Sequence, residues 1–347
     1  MASEPRFIHL HVHSEYSLLE GAVRLKKLPG LAKAGGMPAV ALTDTNNMFA
    51  ALEFSIAASG EGIQPIIGCQ VDVGFIEVQP GEKPRDPAPV VLLAQDEGGY
   101  ENLMKLNSCL YIGKAGQLPQ VTVAELEALS GGLICLTGGP EGPVGMLLRN
   151  GQRAAAEALV RRLHGAFGDR LYIELQRHPG EDGRPGEGQR LTEQGHVEMA
   201  YAMDLPLVAT NDVYFPKSEM YEAHDALICI AEGAYVDQQE ARRRLTPQHY
   251  FKSAQEMAVL FADLPEAIEN TVEIARRCAF MAKKRAPILP KFADDEVEEL
   301  RRQAVEGLKA RLAVIPHATS VEEYEKRLEF ELGIIEQMGF PGYFLIV

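Results

Sequence analysis

Seven short apolar runs, separated by stretches of helical character, limit what this 347-residue chain can fold into more than any other feature. They are 7–11 (FIHLH), 38–42 (PAVAL), 65–73 (PIIGCQVDV), 89–94 (PVVLLA), 132–137 (GLICLT), 171–175 (LYIEL) and 206–210 (PLVAT). Amphipathic segments at 99–111, 153–167 and 187–203 lie between them. Such alternation predicts strands joined by helices in a parallel sheet, and runs apolar on both faces predict a sheet covered on both sides. Polar residues gather at the C-terminal ends of the runs: His13, Thr43 to Asn46, Gly68 and Gln70, Thr137 to Gly139, and Asn211 with Asp212. In a parallel barrel that rim is where chemistry is built, which favours a closed βα barrel over an open sheet.

The first run leads into His9, His11 and His13 at alternate positions. On an extended chain such residues share a face about 6 to 7 Å apart, close enough for two imidazoles to hold one metal ion. The cysteines point to no zinc ribbon or disulfide frame. Cys69, Cys109, Cys135, Cys229 and Cys278 are odd in number and far apart, without a CxxC pair, as buried reduced thiols would be. A formal net charge of −15 argues against these residues alone forming a duplex-binding surface, because that affinity rests on neutralising phosphates. The short basic runs at 242–244 and 283–285 read as solvated faces. With 46% hydrophobic and 24% charged residues, no bilayer-length apolar run and no apolar leader in MASEPRF, the chain reads as a soluble cytoplasmic protein.

After about residue 245 the alternation stops. Residues 253–257 and 263–270 have the look of helix starts capped by Ser253 and Asp263. The proline-punctuated stretch 286–292 reads as a connector and domain boundary, and 294–313 and 320–338 as charged amphipathic helices. The last residues, 343–347, fall in mid apolar run, as expected of the N-terminal piece of a longer polypeptide.

Seven motifs in order carry a family resemblance: HLHVHSEYSLLEG, ALTDTNN, PIIGCQV, DEGGYENL, LVATNDVYF, LPEAIENTVEIARRC and QMGFPGYFLIV. Over essentially the whole chain they resemble the N-terminal region of the bacterial replicative, C-family DNA polymerase III α subunits. The resemblance implies that residues 1–280 form a polymerase-and-histidinol-phosphatase (PHP) domain, an α/β fold built as a distorted seven-stranded βα barrel and related to metal-dependent phosphoesterases. It implies that 285–347 open the polymerase palm, an α-helical stretch here, with the catalytic carboxylates beyond Val347. No catalytic residue is then expected within this chain, which would be inactive on its own.

Metal-binding members of the family hold a trinuclear cluster with nine side chains, and the resemblance places each on this sequence. The HxH pair falls on His11 and His13, and Asp212 is kept in the NDxH motif. Glu20 stands for an aspartate, Thr45 for the histidine of TDH, Gln70 for the bridging glutamate of GCE, Pro89 and Tyr214 for histidines, and Gly139 for a cysteine. Loss of the bridge matters most, since a carboxylate offsets the repulsion between adjacent divalent ions and a neutral amide does not. The implied centre is degenerate. His11, His13 and Asp212, with Gln70 or water, remain for a single residual Zn2+ or Mn2+, and no cofactor is expected to bind tightly. His9 is expected to be structural, and His178 to lie at the same rim outside the nine positions. Because the replacements are neutral, no cluster of carboxylates is expected to require a cation.

For the intact protein the resemblance implies DNA-directed DNA synthesis, with Mg2+ at a site outside this chain. It implies a PHP domain that acts as scaffold and docking surface for the proofreading exonuclease (ε) subunit. Other holoenzyme subunits and DNA would be met by the rest of the polypeptide, and no membrane. Two other readings stay open: a metal-dependent phosphoesterase or 3′–5′ exonuclease using the PHP site, and a pocket that binds phosphate or nucleotide without hydrolysing it.

Overall fold

A computed structural model describes residues 7–76, 86–113, 118–180, 182–285 and 288–347, so residues 286–287 of the proline-punctuated connector lie outside the described residues. The chain divides between Lys283 and Lys284 into two compact units. The first is built on a seven-stranded sheet with strands β1 (Ala39–Leu42), β2 (Gln64–Gly74), β3 (Ala88–Ala94), β4 (Val121–Thr122), β5 (Leu133–Leu136), β6 (Leu171–Gln176) and β7 (Leu207–Thr210). Its helices are α1 (Leu28–Ala34), α2 (Ala51–Gly60), α3 (Glu97–Cys109), α4 (Val123–Ala128), α5 (Pro143–Arg149), α6 (Arg153–Phe167), α7 (Glu187–Ala202), α8 (Tyr221–Glu232), α9 (Ala254–Leu260) and α10 (Pro265–Arg277). α2 packs on β2, α3 on β3, α7 on β6 and α10 on β7. β1, β5 and β7 are buried at every position, as their uninterrupted apolar sequences require.

The sheet is mixed rather than parallel. Its order is β1-β2-β3-β5-β6-β7, with β4 beside β2, and β3 runs antiparallel to both β2 and β5. The sequence between β2 and β3 explains the reversal: it contains QPGEKPRD (79–86), which has turn formers and charges but no helical periodicity. An antiparallel return needs no crossover helix, whereas a parallel one does. Reversal brings the start of β3 to the rim where the other strands end, and Pro89 lies opposite Asp72 in the ladder.

The first apolar run is extended but is not a regular strand. Its backbone still bonds on both sides: Ala41 and Thr43 donate to the carbonyls of His9 and Val12, while Val213 donates to His11 and accepts from His13. The run therefore closes the gap between β1 and the residues following β7. Three steps on this run face two on β1, so the ladder is broken as in a bulge. The Val12 N–H that would be left over donates to the Thr43 hydroxyl at 2.9 Å.

Ser253 caps α9 through a reciprocal bond with Glu256, whereas α10 starts at Pro265 without a side-chain cap. Asp263 binds Arg177 instead, which also pairs with Glu193 and lies 4.6 Å over the Phe261 ring. The second unit consists of helices α11 (Glu296–Leu312), α12 (Val321–Gln337) and α13 (Pro341–Ile346), the first two where the charged amphipathic pattern predicts them. Asp295 and Ser320 cap them, and Arg301 of α11 pairs with Glu329 and Glu336 of α12.

The turn that brings Glu20 to the rim depends on Gly21. A Cβ placed there would lie 1.9 Å from the Ser14 carbonyl oxygen, a backbone atom that cannot swing aside. Gly21→Ala is therefore expected to destabilise the first unit by about 1–3 kcal/mol, read as a lower urea midpoint with unchanged slope.

Candidate metal centre

The rim encloses an open cavity of about 580 Å³ whose wall includes His11, Glu20, Thr45, Gln70, Pro89, Asp212 and Tyr214. His13 is stacked on Tyr214 with ring centroids 4.2 Å apart, and Gly139 adjoins Gln176 on the same wall. The fold thus brings all nine sequence-assigned positions together. His9 takes another course: it donates to the Lys252 carbonyl at 2.7 Å and packs between Phe7 and Phe251.

His11 and His13 are fixed by what their outer nitrogens bind. His11 Nδ1 donates to Glu174 at 2.8 Å, and His13 Nδ1 lies 3.1 Å from the Ser17 hydroxyl and 3.2 Å from that of Thr45. Their Nε2 atoms converge on Asp212 Oδ1, at 3.3 and 3.1 Å. Asp212 itself follows β7 with φ of +47°, a left-handed conformation that aspartate tolerates better than most residues. Its neighbour Asn211 anchors this turn by donating to the carbonyls of Gln248 and Tyr250. One ligand atom from each of His11, His13 and Asp212 lies within 4.8 Å of the other two. Two nitrogens and one oxygen, each histidine oriented from behind, suit a single zinc-like ion. They are too few for three.

At the other positions the side chains are engaged with one another or lack room for a ligand. Gln70 Oε1 accepts from His11 Nε2 at 2.8 Å. Thr45 donates to Glu20 at 2.8 Å. Gly139 has φ of +59°, and a Cβ there would lie 2.8 Å from Gln176 Cδ, so a cysteine cannot simply be put back.

Sequence reasoning missed Glu174, His249 and Arg243. Glu174 is fully buried on β6 and accepts from His11, Thr210, Gln176 and the Gly138 backbone. A lone acid in the apolar run LYIEL was the available signal, because a buried charge demands partners. His249 donates to the Asp212 carbonyl at 3.0 Å and stacks on His178 at 3.8 Å, and His178 donates to the Asn211 carbonyl. Burial lowers the His249 pKa to about 4 and keeps it neutral. The basic run at 242–244 is a solvated face only in part: Arg243 and Arg244 are exposed, while the Arg242 side chain is buried. Arg242 forms a two-pronged pair with Asp225, and Arg243 reaches Glu20 at 2.7 Å.

The charges form one balance, which corrects the expectation that no acids remain in need of cations. Burial alone would lower the pKa of His11, but Asp212 and Glu174 outweigh it and raise it to about 9. Both ring nitrogens then carry protons, one donated to Glu174 and one to Gln70. Burial would raise the Asp212 carboxyl, yet His11 and His13 hold it well below the usual carboxylate range. Glu20 is lowered likewise, with Arg243 overcoming its burial.

A folded-state pKa raised from 6.5 to about 9 contributes stability that is fully present below pH 6.5 and lost as pH rises through 9. The stability advantage of the unmodified chain over His11→Gln is therefore expected to shrink by on the order of 3 kcal/mol between these limits. Chemical denaturation of both proteins across that range measures it, and taking the difference removes the opposing contribution of Lys252, whose pKa burial lowers to about 7.

Residues 9–178 match the PHP domain family and residues 298–347 match the bacterial DNA polymerase III alpha NTPase domain. The chain is 53% identical to DNA polymerase III subunit alpha of Caulobacter vibrioides, an alignment covering 98% of this chain and 30% of that protein. The same subunit in Pseudomonas fluorescens is 42% identical over 98% of this chain and 29% of its own length, and that of Escherichia coli K12 is 40% identical over 99% and 30%. The chain thus spans about 30% of the curated relatives it matches. With the PHP match in the first unit and sequence identity running through both units, the chain belongs to the bacterial DNA polymerase III alpha subunit family, and its first unit carries that family's PHP domain.

Proposed function

We propose that this chain is part of a cytoplasmic DNA-directed DNA polymerase in which the PHP domain acts as a metal-independent scaffold and as the docking surface for the proofreading exonuclease subunit. The second unit, from about residue 285, would open the polymerase palm, whose Mg2+-binding carboxylates belong to the rest of the protein. Among the described residues no helix is long and apolar enough to cross a membrane. The observation that carries the scaffold reading is the state of the bridge position. Gln70 accepts a hydrogen bond from His11, so its amide completes a hydrogen-bond network where a phosphoesterase would need a carboxylate between two ions. With Thr45, Pro89, Gly139 and Tyr214 unable to coordinate, hydrolysis has neither a second ion nor an activated water. Retention of the chain by the immobilised exonuclease subunit of the same bacterium tests the docking role directly. Failure to bind at micromolar concentration would remove it.

A second reading has support from the convergence of His11, His13 and Asp212, which fits one Zn2+ or Mn2+. Such an ion must displace the proton on His11, so its affinity falls as pH falls. Protein purified without chelator is expected to hold well under one equivalent of metal and to melt at the same temperature with and without EDTA. A drop of several degrees in EDTA would refute metal independence. Gln70→Glu supplies a fourth ligand and is expected to raise Zn2+ or Mn2+ affinity at least tenfold, with a further tenfold per pH unit between 7 and 9 as His11 gives up its proton. Calorimetric titration distinguishes this from a packed rim that admits no ion.

A further inference from the structure

Residues 234–249 run from α8 towards Tyr250 without regular structure and supply Arg243, Thr246 and His249 to the cavity wall. This strap is fastened by Arg242, whose two terminal nitrogens donate to the two carboxylate oxygens of Asp225 on α8 at 2.7 and 2.6 Å, both side chains being almost wholly buried. The next residue turns the other way. Arg243 Nη1 donates to Glu20 Oε1 at 2.7 Å, the second oxygen of Glu20 accepts from Thr45, and the Thr45 hydroxyl lies 3.2 Å from His13 Nδ1. His13 in turn reaches Asp212 at 3.1 Å, so the guanidinium heads a continuous chain of polar contacts that ends on the ligand triad.

Three acids, Glu20, Asp72 and Asp212, line this part of the cavity. Carboxylates crowded in a part-buried space need a cation, and a divalent ion is the usual supplier in such a centre. A guanidinium fills the same need permanently: it stays charged and its fork matches carboxylate oxygens. We propose that Arg243 occupies the electrostatic seat of a divalent cation on the Glu20 side of the cavity, making the strap a built-in autoinhibitory contact that closes the centre to metal. This rests on the metal-independent reading above, and concerns what enforces it.

The test uses the 347-residue chain and Mn2+ alone, with affinity read by titration calorimetry and by the electron spin resonance of the bound ion. Arg243→Met is expected to bind Mn2+ at least tenfold more tightly than the unmodified chain, and to melt several degrees lower in EDTA than in Mn2+. Arg243→Lys keeps the cation and is expected to bind as weakly as the unmodified chain. Arg243→Met combined with Glu20→Gln removes both charges, and is expected to melt normally in EDTA and to lose the gain in affinity. The proposal fails if Arg243→Met binds Mn2+ no better than the unmodified chain, if the gain survives Glu20→Gln, or if Arg243→Met stays unfolded with Mn2+ as well as with EDTA. An Arg243→Met chain that is unfolded in EDTA and folds on adding Mn2+ supports it. Tight Mn2+ binding by the unmodified chain would overturn the metal-independent reading and this proposal together, whereas weak binding by both proteins overturns this proposal alone.

Discussion

A buried imidazolium must be matched by acids, and His11, between Glu174 and Asp212, is the charge around which the interior of the first unit is arranged. Each member depends on the others. Without His11, Glu174 would be an uncompensated carboxylate in a site with no solvent access; without Glu174, the Nδ1 proton of His11 would lose its acceptor and the imidazolium one of its two acids. The partners come from separate elements: His11 from the first apolar run, Gln70 from β2, Glu174 and Gln176 from β6, and Thr210 from the end of β7. Charge balance and barrel closure are therefore the same set of contacts seen from two sides.

On the reading proposed above, a metal centre has lost ligands while the rim has kept its shape. Five positions have become residues that cannot coordinate well, yet a cavity of about 580 Å³ persists at the rim. Glu20, Asp72 and Asp212 line it, Arg243 pairs with Glu20, and His11 lies between Asp212 and the buried Glu174. At one position the change is harder to reverse, because the Gln176 side chain has filled the room above Gly139 that a side chain would use.

Much of this was legible in the residues. Apolar runs such as LICL and LVAT announce strands covered on both faces, and the helices at 153–167, 296–312 and 321–337 follow their apolar periodicity. The candidate triad was legible because His11 and His13 sit two apart on an extended segment and because the family resemblance placed Asp212 beside them. Other features leave no local trace. Nothing in VVLLA itself distinguishes a strand running up from one running down; the trace of the reversal of β3 lies before it, in a connector without helical periodicity. Arg243 and His249 lie in a stretch without periodicity, where a basic run looks like any solvated loop.

Local properties of the chain, its hydrophobic period, turn chemistry and ligand spacing, act over a few residues, and the sequence by itself determined them: seven apolar runs, six of them strands, their helices, and three histidines in the extended first run. Which charges meet was decided only by the tertiary structure. Arg243 and Glu20 are far apart in sequence, as are His11 and Glu174, and each pair exists because barrel closure brings distant segments to one rim, where the His11–Glu174 pair is shut off from solvent and the Arg243–Glu20 pair lies at its edge. The protonation of His11 is a property of that enclosure and not of any segment read alone.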